Sequence, residues 1–162
     1  MSQQDLVVGW LNDAYAMERS ITQVLQRHVK DAKDLPEIQT RLQQHLDATE
    51  RHAELVQGCV ERLGGDTSKL KSGLAQVMGA AQGMSTSLAK DELVKNTLQD
   101  YSTEHMEIAS YQSLLAAAQQ LGDTETASVC EQILQDEEAM QAWLREQIPT
   151  ITRQVLEQQG SS

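Results

Sequence analysis

The chain has 162 residues, of which 40% are apolar, and a formal net charge of −11. That length fits one domain, read as residues 1–162 with a core at about 5–147. The acidic balance excludes nucleic acid and anionic membranes as partners, because both require a basic surface.

Phe is absent and the aromatic share is 3%, while Leu, Ala and Gln are abundant. This mix favours helices and disfavours strands. Apolar residues recur at three- and four-residue steps along four long segments, which predicts amphipathic helices.

The first predicted helix runs from about Asp5 to Asp31, with the inward row Val7, Leu11, Ala14, Glu18, Ile21, Leu25, His28. Asp34 is placed to cap the second, and Pro36 suits its first turn. That helix ends at Gly64-Gly65, and its row is Leu42, His45, Thr49, His52, Val56, Cys59, Leu63. A Gly-, Ser- and Ala-rich stretch from Asp66 to about Ala89 follows, with an apolar-periodic piece around Leu74, Val77 and Met78. It reads as a long crossover carrying short helices.

The third helix is expected from about Lys90 to Leu121, closed by Gly122, with the row Thr97, Tyr101, Glu104, Ile108, Tyr111, Leu115, Ala118. The fourth begins near Asp123 or Thr124, and Glu125 suits the positive end of its dipole. Its row is Ala127, Cys130, Leu134, Glu137, Gln141, Leu144, Ile148. Pro149 is expected to break it, leaving Thr150 to Gln159 as a short C-terminal helical arm. Short loops within each helix pair and one long crossover between helices two and three give the ferritin-like connectivity of an all-α four-helix bundle.

Ionisable residues occupy the apolar rows. Glu18, His45 with His52, Glu104 with His105 and Glu107, and Glu137 place such a group inward on all four helices. A buried carboxylate costs several kcal/mol unless it is paired or binds a metal. A shared divalent cation accounts for the coincidence, and carboxylate oxygens with a few imidazoles suit iron or manganese. The competing reading is a structural network in which Glu104 pairs with His105 or His45. Glu50 and Glu138 read as rim or solvated residues, His28 as a partner of its helix terminus, and Met17, Met106 and Met140 as core filling. Trp10 and Trp143 read as packing near the bundle ends. Cys59 and Cys130 read as buried free thiols of a cytoplasmic protein. No signal peptide or membrane span is expected, since no stretch approaches roughly 18 uninterrupted apolar residues.

The runs Asp13-Ala-Tyr-Ala-Met-Glu18, His45-Leu-Asp-Ala-Thr-Glu-Arg-His52, Glu104-His-Met-Glu-Ile-Ala-Ser-Tyr111 and Ile133-Leu-Gln-Asp-Glu-Glu138 resemble the YciE/YciF-type family of ferritin-like bacterial stress proteins. The resemblance implies a rubrerythrin- and ferritin-like fold, a homodimer and a stress-related role, with ferroxidase-like chemistry. By position it implies Glu18, His45, Glu104, His105, Glu107 and Glu137 as the inward polar set. Their expected roles are Glu18 and Glu137 as ligands from opposite hairpins, Glu104 and Glu107 as bridging or terminal carboxylates, and His45 and His105 as terminal imidazoles. Tyr101 and Tyr111 read as packing residues able to donate hydrogen bonds to ligands.

One departure bears on function. The family usually carries Glu directly before the Thr of the second helix, and Ala48 stands there. Its loss leaves one metal in place of two, or none, with Glu50 and His52 as imperfect substitutes. The alternative is therefore a non-catalytic structural or protective dimer with a degenerate site.

Overall fold

In a computed structural model, residues 1–68 and 91–160 are described. They form helices α1 (Gln3–Asp31), α2 (Pro36–Arg62), α3 (Glu92–Leu121) and α4 (Thr124–Gly160), and no strand occurs among them. The apolar piece expected around Leu74 to Met78 lies outside the described residues.

The local sequence sets each helix end. Ser2 and Asp5 form a reciprocal capping box at the start of α1, with each side chain bonded to the other's backbone N–H. At α2 the expected Asp34 cap is not used. Leu35 stands at the cap without a side-chain bond, and Pro36 opens the first turn, where a missing N–H costs nothing. Two helices end on glycines in the left-handed conformation: Gly64 follows α2 at φ 81° and Gly122 follows α3 at φ 69°. The next N–H then reaches back, from Gly65 to the Val60 carbonyl and from Asp123 to that of Ala118, both at 2.9 Å.

α1 packs chiefly on α2 and α3 on α4, as two antiparallel hairpins. The hairpins meet mainly through α1 and α3, and the α2–α4 seam is thinner. Val7, Leu11, Met17, Ile21, Leu25, Val56, Ile133, Met140 and Leu144 build the core. Burying each large side chain contributes about 1.5–3 kcal/mol.

Several readings of the sequence are corrected. The inward face of α3 is rotated from the expected row: Asp100, Glu107 and Leu114 are fully buried, whereas Tyr101, Ile108 and Leu115 are only half-buried. Met106 and Trp10 are each 41% exposed and fill no core. Trp143 is half-buried, with the Arg41 guanidinium 5.6 Å above its ring. Helix α4 does not break at Pro149 but continues to Gly160. The proline leaves the Arg145 carbonyl without its backbone donor, at a cost of about 3 kcal/mol in a helix interior. Tertiary packing offsets this, because Ile151 is buried beside Leu42, Leu93 and Trp143.

His28 does not serve its helix end. It is buried, and its Nδ1 lies 2.8 Å from Asp100 Oδ1 on α3. Cys59 and Cys130 are buried free thiols, as expected, and burial pushes the Cys130 thiol up to about 12. No helix among the described residues is long and apolar enough to cross a membrane.

Candidate metal centre

The ionisable residues of the four helices converge at mid-bundle. Glu18 comes from α1, His45 and His52 from α2, Glu104 and Glu107 from α3, and Glu137 from α4, each 2% exposed or less. On α2, the seven-residue step from His45 to His52 is two turns of one face, so both imidazoles point inward. On α3, Glu104 and Glu107 are three apart and share a face for the same reason.

His105 is absent from this cluster. One residue beyond Glu104 it has turned about 100° around the helix, and it is exposed, edge-on against the Tyr101 ring at 4.7 Å. His52 occupies the interior instead. Glu50 and Glu138 are exposed.

Donor atoms of His45, Glu104, Glu107 and Glu137 lie within 4.8 Å of one another, and so do those of Glu18, His52 and Glu137. Glu137 belongs to both groups. His45 Nε2 is 2.7 Å from Glu104 Oε1 and 3.7 Å from Glu137 Oε2. His52 bridges two acids: its Nε2 is 2.8 Å from Asp136 Oδ2, and its Nδ1 is 2.8 Å from Glu137 Oε1. The second approach lies too far from the ring's N–H direction to be a regular hydrogen bond, so we read it as a charge contact. Tyr111, fully buried, donates its hydroxyl to Glu18 Oε1.

The charge state follows from this geometry. Burial, reinforced by the Glu137 charge, pushes the Glu18 carboxyl up to about 8. The same two causes raise Glu104 and Glu107 well above the carboxylate range. Glu137 moves the other way. Burial opposes its ionisation, but the nearby Glu104 carboxyl and the close positive charges of His52 and His45 outweigh it, to about 2. For His52, burial disfavours the cation but is overcome by Glu137, Glu18 and Asp136, which lift it to about 9. Burial lowers His45. At neutral pH without metal the cluster therefore balances anionic Glu137 against cationic His52 and keeps its other carboxyls protonated.

These residues fit a metal. Glu18 Oε2, Glu104 Oε2, both Glu107 oxygens, both Glu137 oxygens and His52 Nδ1 are buried without hydrogen-bond partners among the described residues. Each such orphan costs about 1–3 kcal/mol. One or two divalent cations would satisfy them together, and carboxylate oxygens with two imidazoles form a hard donor set suited to iron or manganese.

The sequence matches the family described as a domain of unknown function (DUF892) over residues 2–157. The chain belongs to that family. A crystallised protein from Xanthomonas campestris pv. campestris str. ATCC 33913 is 34% identical, with a TM-score of 0.84 over 98% of this chain and 99% of its own. The Escherichia coli stress protein YciF is 23% identical, with a TM-score of 0.76 over 94% and 98%. The bacterioferritin of Desulfovibrio desulfuricans, whose structure is described with a diiron site, is 24% identical, with a TM-score of 0.74 over 94% of this chain and 85% of its own. The last two establish the fold alone: this is an all-α ferritin-like bundle.

Proposed function

We propose that this chain is a metal-binding ferritin-like protein that holds iron or manganese among Glu18, His45, His52, Glu104, Glu107 and Glu137 and acts in a bacterial stress response. The observation that carries the reading is the set of buried, unpartnered donor atoms contributed by all four helices. Bound iron would supply one-electron redox chemistry toward dioxygen or peroxide, which is the ferroxidase-type reading. The chain's own residues prepare for that task. Glu137 is held ionised and can serve both donor groups, and Tyr111 fixes one Glu18 oxygen so that the other stays free. Ile133, Met140 and Leu144 are buried one to two turns from Glu137 on α4 and keep its surroundings apolar along that helix. The stress role draws support from the fold shared with YciF. A cytoplasmic, homodimeric form is part of the proposal, and the partly exposed Leu6 and Trp10 on α1 offer apolar surface for self-association.

A second reading has one specific observation in its favour. Ala48 lies three residues after His45 and four before His52, on the face where the second helix would carry a carboxylate. The cluster is also electrically balanced by protons alone. A structural dimer with a relic site is consistent with both. Elemental analysis of the purified protein, before and after Glu137→Leu, separates the readings. A working site carries bound metal that the substitution removes. A relic carries none and tolerates the leucine with unchanged or higher stability.

A further inference from the structure

The cluster is buried, and among the described residues a single imidazole lies between Glu137 and an open cleft at one place. His52 forms the floor of an open cleft on the α2–α4 seam, the thinner of the two contacts between hairpins. Arg51, Glu54 and Leu55 of α2 and Gln132 and Asp136 of α4 complete its lining. Asp136 precedes Glu137 in sequence, so the two carboxylates diverge around α4, one outward and one inward. The Asp136 side chain is 47% exposed, whereas that of Glu137 is fully buried. His52, with a side chain only 2% exposed, touches both, and its Nδ1 lacks a regular hydrogen bond.

We infer that this cleft is the port by which a divalent cation reaches the core, with Asp136 as the capturing carboxylate and His52, once its ring proton has left to solvent by way of Asp136, as the group that hands the cation to Glu137. The inference rests on the metal-binding reading above and adds a route and a residue to it. Asp136 lies outside both donor groups, so its role is in the rate of loading and not in the final hold. Electrostatics sets the sign at the rim, where Glu54 and Asp136 are negative and Arg51 is positive. The Asp136 carboxylate concentrates cations at the mouth, while the Arg51 guanidinium repels them, and one unit charge within a few ångströms changes the local concentration of a divalent ion on the order of 5-fold at moderate salt.

The test is stopped-flow uptake of Co²⁺ alone, followed by its visible absorption, with equilibrium titration of the same proteins. Asp136→Asn should slow association about 5-fold and Arg51→Gln should speed it, with the amount of Co²⁺ bound at saturation unchanged. Glu138→Gln, an exposed charge outside the cleft lining, should leave the rate unaltered. Equal rates for wild type and both cleft variants overturn the port, as does an Asp136→Asn variant that loses equilibrium affinity at an unchanged rate, since Asp136 would then only orient His52. Wild-type protein that binds no Co²⁺ refutes the metal reading itself, and the port with it.

Discussion

Raising the pH of metal-free protein from 6.5 to 8 should destabilise it strongly. Folding raises the Glu18 carboxyl from 4.5 to about 8, so the native state keeps a proton that the unfolded chain has lost, and the penalty grows from pH 4.5 until it is complete near 8. His52 is raised from 6.5 to about 9, so its stabilising contribution is full below 6.5 and is lost as pH rises through 9. Between these limits the native state holds both protons, and each lowers stability by about 1.4 kcal/mol per pH unit. Together they amount to about 3–4 kcal/mol over the interval, or roughly 10 °C in Tm for a chain of this size. Glu104 and Glu107 act in the same direction. Glu137 has the opposite sign, because its stabilising contribution is present above 4.5 and lost as pH falls toward 2. The metal-free optimum should thus lie near or below pH 4.5, where the gain from Glu137 and the penalties of the other three carboxyls balance. Thermal unfolding followed by circular dichroism, after chelation and at fixed ionic strength, measures the slope. Excess Mn²⁺ should flatten it, since metal displaces these protons. A Tm that stays level or rises between pH 6.5 and 8 without metal would refute this electrostatic account.

Three substitutions extend the account. Tyr111→Phe removes the hydroxyl that holds Glu18 Oε1, and calorimetric titration should show Mn²⁺ affinity reduced about 10-fold, the lower end for lost partners of ligands. Ala48→Glu supplies the missing second-helix carboxylate, so the variant should melt lower than wild type without metal and gain more Tm than wild type when Mn²⁺ is added. Pro149→Ala restores a donor for the Arg145 carbonyl and should raise stability by about 1–3 kcal/mol in denaturant titration; unchanged stability would show that the helix has relaxed around the proline.

The architecture was legible because helix periodicity and glycine stops are local signals. Every member of the α1 row, from Val7 to His28, is buried, and Gly64 and Gly122 end their helices. The α3 face was misread for an instructive reason. Asn96, Asp100, Glu104 and Glu107 follow one another at helical steps on a buried face, but a search for apolar periodicity treats polar residues as outward and shifts the stripe toward Tyr101 and Ile108. The family resemblance brought in His105, which adjoins Glu104 in sequence, and left out His52, which helical spacing had placed inward on the His45 face two turns on. The partners of His28 and His52 lie 72 and 84 residues away in the chain, and no local pattern reports such pairings. Pro149 was a local signal overridden by the burial of Ile151.

Anomalous diffraction from crystals grown with Mn²⁺ tests the central claim most directly. The account predicts a peak bounded by His45, Glu104, Glu107 and Glu137, with a second, weaker peak beside Glu18 and His52, both in contact with Glu137 and with ligand distances of roughly 2.0–2.3 Å. Crystals whose only manganese lies on exposed carboxylates, with Glu137 still paired to His52 and no density between the helices, would contradict it.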